Sequence, residues 1–151
     1  MAVEENIAAT LRLFEAATAG DMDAFDDLMV PDFVTHGDAM FPFVRGKDIL
    51  KVAIPAFRAA FPDAKLSPEL IFGEGNNVVA HVKVTATHEG PWLGAEPTHK
   101  KMTWTASTII RFNDDGMMVE RWVIEDELGV MEQLGIAPLI GAGASANRGE
   151  D

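Results

Sequence analysis

The sequence contains no cysteine, so disulfides and thiolate chemistry are excluded outright. Basic residues are scarce: 12 Lys and Arg stand against 24 Asp and Glu, a net charge of −12. Such a balance favours solubility and opposes binding to nucleic-acid phosphates or an anionic membrane surface. No apolar run approaches the roughly 18 residues that a membrane span needs, and no basic leader precedes an apolar segment. The chain therefore reads as soluble and, by default, cytoplasmic. Two catalytic signatures are missing as well. The glycines of GAGAS after Ile140 have no strand before them and no helix after them, and Ser67, Ser107 and Ser145 sit in no nucleophile elbow. His36, His81, His88 and His99 form no H-x-x-x-H pair, so the spacing points to no metal site.

What is present is a change of period. Over Glu4 to Ala19 the apolar residues Ile7, Leu11 and Phe14 recur at helical spacing, with Gly20 as the stop and Asp21 as the next cap. A short helix over Met22 to Met29 follows, closed by Pro31, then an extended piece, Phe33 to Gly37. An apolar loop through Phe41, Pro42 and Phe43 leads to a third helix capped by Asp48, running towards Phe61 and kinked by Pro55. Its apolar residues cover more than one stripe, which predicts deep burial.

From Leu66 onwards the period is two. Strands are predicted over Leu66 to Phe72, Val78 to His88, Met102 to Phe112 and Met117 to Asp126, with Asn113-Asp114-Asp115-Gly116 as a hairpin turn and a closing helix over Leu128 to Leu134. In the second strand Ala80, Val82, Val84, Ala86 and His88 share a face. In the third, Met102, Trp104, Ala106, Thr108, Ile110 and Phe112 do. Between these two strands runs a Gly/Pro-rich loop, Gly90 to Pro97, long enough to act as a flap. Helices first and sheet second is the α+β pattern, one domain over residues 1–136 with a Gly- and Ala-rich tail over 137–151 that is expected to be partly disordered.

The last strand carries the chemistry in question. Glu120, Trp122, Ile124 and Asp126 share one side of it, two apolar bodies and then an acid. On a dry face, desolvation would raise the Asp126 carboxyl towards a range useful for general acid/base work. The competing role is an N-cap for the helix that starts at Glu127. Glu120, Arg121 and Glu125 read as surface or ion-paired charges. His88 ends an Ala/Val face beside the flap, where it would polarise a substrate carbonyl or simply donate to a backbone carbonyl. The same pair of roles is open to His36. Trp104 and Trp122 are the expected cavity-wall aromatics with Phe33 and Phe61, and Trp92 the expected cap of the opening.

Several segments in order carry a resemblance: PDFVTHG from Pro31, AFPDAK from Ala60, THEG from Thr87, the strand into Arg111-Phe112, and VERWVIEDELGVMEQLG from Val119. Together they resemble the SnoaL-like polyketide cyclase family of the NTF2-like superfamily. The resemblance implies a cone-shaped α+β barrel with a curved, mainly antiparallel sheet, a buried cavity and cofactor-free chemistry. It also implies a homodimer or higher homo-oligomer, and Asp126 as general acid/base in an intramolecular aldol ring closure on a hydrophobic, carbonyl-bearing substrate. Departures occur at His81, where an arginine is more usual, and at Ala86, where a glycine is. Other readings of the same hollow are a non-catalytic pocket for a hydrophobic small molecule and an epoxide hydrolase.

Overall fold

The computed structural model describes residues 2–37 and 43–136, Phe43 by its backbone alone. The expected tail, and Phe41 and Pro42 of the apolar loop, lie outside these. In chain order the elements are α1 (Val3–Ala19), α2 (Met22–Leu28), β1 (Met29–His36), β2 (Phe43–Arg45), a 3₁₀ turn (Lys47–Ile49) and α3 (Leu50–Ala60). There follow β3 (Lys65–Glu74), β4 (Asn77–Thr87), β5 (Lys101–Phe112), β6 (Met118–Glu125) and α4 (Glu127–Leu134). The strands form one curved, unclosed sheet in the order β2-β1-β6-β5-β4-β3, with the helices packed on it. Every neighbouring pair is antiparallel except β1 with β6, which is parallel. None of the described helices is long and apolar enough to cross a membrane.

The helix ends follow local chemistry. Gly20 takes the left-handed conformation that stops α1, and the Asp21 carboxylate accepts from the Ala24 N–H at 3.2 Å to start α2. The second helix ends one residue earlier than the sequence suggests. Met29 is already extended and opens β1, which carries Pro31 on an exposed stretch. Along β4 and β5 burial alternates as the period of two requires, with Ala80, Val82, Val84, Ala86 and His88 inside and Met102, Trp104, Thr108, Ile110 and Phe112 opposite them.

Two packed regions result. One joins α1 and α2 to Phe33, Val78, Ile110, Phe112 and Met118. The other joins Phe61 and the middle of β4 to Met102, Trp104, Val130 and Leu134. The deep burial expected of α3 is not found: only Leu50 and Ala60 are buried, and Val52 is 64% exposed. The reason is its position. Leu50, Ala53, Ile54 and Phe57 turn inward, lining one side of a cavity and packing against its neighbours, while Val52, Ala56 and Ala59 on the other side of the helix are exposed.

The segment after α3 is tied to the sheet by one carboxylate. Asp63 accepts from both the hydroxyl and the N–H of Thr87, each at 2.7 Å. The hydroxyl contact, then the backbone one, holds this carboxyl below its ordinary range. A carboxyl depressed in the folded state adds stability above its unfolded value, and that stability is lost as pH falls through the folded value. Thr87→Val is therefore expected to lower the melting temperature at neutral pH, with the gap to wild type closing as pH drops below about 4. Thermal unfolding followed across that range checks it, and an undiminished gap in acid would contradict it.

Candidate functional site

A cavity of about 210 Å3 lies between the two packed regions and takes walls from both. Leu13, Phe14 and Ala17 of α1 form one side, and α3 roofs it. Leu66 of β3, Val82 and Val84 of β4, and Trp104, Ala106 and Thr108 of β5 form the sheet side. Trp92 and Leu93 close over it from the loop between β4 and β5. This is the apolar concavity with few polar groups that small-molecule sites favour.

Most of the polar groups come from β6 and the turn after it. Arg121, Val123 and Glu125 line the cavity, joined by Glu127 from the first turn of α4. Trp104 Nε1–H donates to Glu125 Oε1 at 2.5 Å, a short charge-assisted contact that fixes the carboxylate. Arg121 Nε donates to the hydroxyl of Thr35 at 3.1 Å, and Thr35 is buried beside it on β1. A carboxylate and a guanidinium, each held by a side chain of a neighbouring strand, thus share one mainly apolar chamber.

Asp126 is not in that chamber. It is exposed and caps α4, its carboxylate accepting from the Gly129 N–H at 3.0 Å. The expectation that it reaches a dry hollow is corrected by a β-bulge. Phe112 faces Met118 but Arg111 faces Glu120, so Val119 is an extra residue on β6. Without it, Trp122 would pair with Thr108 and Asp126 with Trp104, all inside. With it, Val123 pairs with Thr108 and Glu125 with Ala106. A shift of one residue turns every following side chain to the other face. Glu120, Trp122 and Ile124 do share a side with each other, and it is the outer one, where Ile124 is 73% exposed.

His36 and Trp122 meet on that outer face. They are register partners across the parallel pair, with ring centroids 5.2 Å apart and planes 10° from parallel. His36 Nε2–H donates to Glu120 at 2.8 Å, and Arg111 reaches the other Glu120 oxygen at 3.1 Å while lying over the Trp122 ring. His88 is wholly buried and does not line the cavity. Its Nδ1 accepts from the Thr98 N–H at 3.1 Å, so it clasps the base of the loop. Phe61 packs between His88 and the ring of Trp104, behind the cavity wall, and Phe33 belongs to the core under α1 and α2. Of the aromatics expected at the site, Trp92 and Trp104 line it.

The matching family model covers residues 8–134 and describes SnoaL-like polyketide cyclases. The chain is 26% identical over 135 residues to aklanonic acid methyl ester cyclase of Streptomyces galilaeus, covering 88% of this chain and 92% of that one. It superposes on the crystal structure of AclR, a candidate hydroxylase from Streptomyces galilaeus, with a TM-score of 0.79 and 28% identity over 91% of this chain and all (100%) of that one. A further match is IdmH, a candidate polyketide cyclase from Streptomyces antibioticus, with a TM-score of 0.74 and 28% identity over 86% and 98% of the two chains. The open α+β sheet, the apolar chamber beneath it and a family match over most of the sequence agree, and the chain belongs to the SnoaL-like polyketide cyclase family.

Proposed function

We propose that the protein is a cofactor-free enzyme of the cyclase type, closing a ring within an apolar molecule that carries at least two carbonyl groups. The observation behind this reading is the placement of Glu125 and Arg121 in one mainly apolar chamber, each held by a side chain of a neighbouring strand. Glu125 takes a proton from the carbon next to one carbonyl, leaving an enolate whose oxygen faces the Arg121 guanidinium. The enolate carbon attacks the second carbonyl of the same molecule, a carbon–carbon bond forms, and the new alkoxide recovers the proton from Glu125. Atoms and charge balance without a further reactant. A folded substrate brings its own partner close, so a modest base suffices.

Asp126 is the alternative proton carrier suggested by the family resemblance. Its exposure and its work as a cap favour Glu125 instead. The test is incubation with aromatic ketones, 1,5-diketones and epoxides in D2O, following ring closure and α-hydrogen exchange by NMR. Exchange or closure supports the reading. Binding without either leaves a carrier for hydrophobic molecules, and opening of the epoxides alone would replace it with hydrolase chemistry.

We further propose a homodimer through the outer sheet face. Leu70, Phe72, Ile109 and Ile124 are all exposed there, around the hydrogen-bonded pair of His81 and Ser107. The Glu120 charge on that face is balanced by Arg111, and the charge nearest His81 along β4 is the cation Lys83, so the acids behind the net charge of −12 are not gathered there. A second copy meets no acid-on-acid repulsion at its centre, and two such sheets pack about 10 Å apart. Sedimentation should show a dimer that Ile124→Lys converts to monomer. A monomeric wild type would refute it.

A further inference from the structure

The loop over the cavity ends in a two-residue hairpin whose sequence is unsuited to it. Trp92 and Ala95 exchange both backbone hydrogen bonds, at 3.1 and 2.9 Å, leaving Leu93 and Gly94 as the turn. Their φ values are +50° and +80°, the pair of positive angles that a type I′ turn demands. Asn or Gly ordinarily stands at the first of these positions, because a bulky side chain crowds its own backbone there. A leucine held in this conformation is strained, and strain of this kind is retained where the side chain has something to do.

Leu93 has such a place. It lines the cavity while 40% of it stays exposed, so it sits at the boundary between chamber and solvent. The rest of the loop is held fast. Trp92 lies edge-on against Phe57 and Phe61, with centroids 5.7 and 5.6 Å away. At the base, the His99 N–H donates to the His88 carbonyl, the His88 N–H donates to the Lys100 carbonyl, and the Thr98 N–H donates to the buried His88 ring. A fixed frame thus presents one apolar side chain at the mouth.

We infer that Leu93 is a specificity-determining residue, its side chain bounding the ligand at the cavity mouth and setting how large a molecule is retained. This rests on the reading that the cavity binds an apolar carbonyl compound. The test uses Leu93→Gly and Leu93→Asn, both of which suit the turn, so neither is expected to melt below wild type. Dissociation constants are measured for 2-acetylnaphthalene and the longer 2-acetylanthracene. Wild type should prefer the smaller ketone, and both variants should bind it at least about five-fold more weakly while losing most of that preference. Unchanged affinities and preference in the variants would overturn the inference while leaving the cavity reading intact, as would a sharp fall in melting temperature, which would mark Leu93 as structural. Failure of wild type to bind either ketone would overturn the cavity reading and this inference together.

Discussion

Glu125→Gln is expected to lower the rate of α-hydrogen exchange and ring closure by about 10²- to 10⁴-fold, the usual contribution of a positioned acid/base. The substitution is nearly isosteric, and the amide oxygen still accepts from Trp104 Nε1–H, so the strand pair and the cavity wall survive. Binding of a ketone should change little, which separates loss of chemistry from loss of the site. Asp126→Asn is the necessary companion. Asn caps a helix about as well as Asp, so this variant should keep both its stability and its activity, whereas Asp126→Ala should lose about 1 kcal/mol of stability and little rate. A fully active Glu125→Gln beside a dead Asp126→Asn would reverse the assignment, and would mean that the end of β6 rearranges when substrate binds. Stopped turnover in both would implicate the two carboxylates as a pair.

How much of this was legible from the letters depends on which periodicity one trusts. The inner faces of β4 and β5 follow from simple alternation, because both strands run unbroken beside each other from Asn77 to Thr87 and from Lys101 to Arg111. The same alternation points Trp104 at the cavity wall, the length of the Gly/Pro-rich loop points to Trp92 as a cap of the opening, and both residues line the cavity. The face of β6 was not legible. Trp122 and Ile124 look like core residues and Arg121 and Glu125 look like surface charges, so hydrophobicity points to the wrong side. What decides it is Val119, a bulged residue with no sequence mark of its own. The letters do carry one signal: an alternation of Arg121, Val123 and Glu125 is what a polar wall in an apolar chamber looks like along a strand. The same blindness applies to α3, where apolar residues facing a cavity cannot be told from apolar residues facing a core. Alternation also predicts that His88, just past the end of β4, points inward, and it is wholly buried there, but bonded to Thr98 and outside the cavity lining.

Arg121→Gln should cost about 10²- to 10³-fold in kcat, the loss seen when a preorganised donor to a developing oxyanion is removed. The argument turns on the timing of charge. A ketone oxygen is nearly neutral when it binds and carries a full negative charge in the enolate, so a cation beside it gains most in the transition state. The mainly apolar walls lower the local dielectric and enlarge that gain. If the guanidinium only helped to seat the substrate, KM would rise with kcat preserved, and that outcome would remove Arg121 from the mechanism. Arg121→Lys is expected to recover a fraction of the rate, since a point charge restores attraction without the planar fork that bonds Thr35 while facing the chamber. Thr35→Val completes the set: it leaves the charge in place and removes one of its hydrogen bonds, so a partial fall in kcat with little change in KM is expected, smaller than that of Arg121→Gln. A Thr35→Val enzyme as fast as wild type would show that the reaction uses the Arg121 charge without needing the Thr35 hydrogen bond.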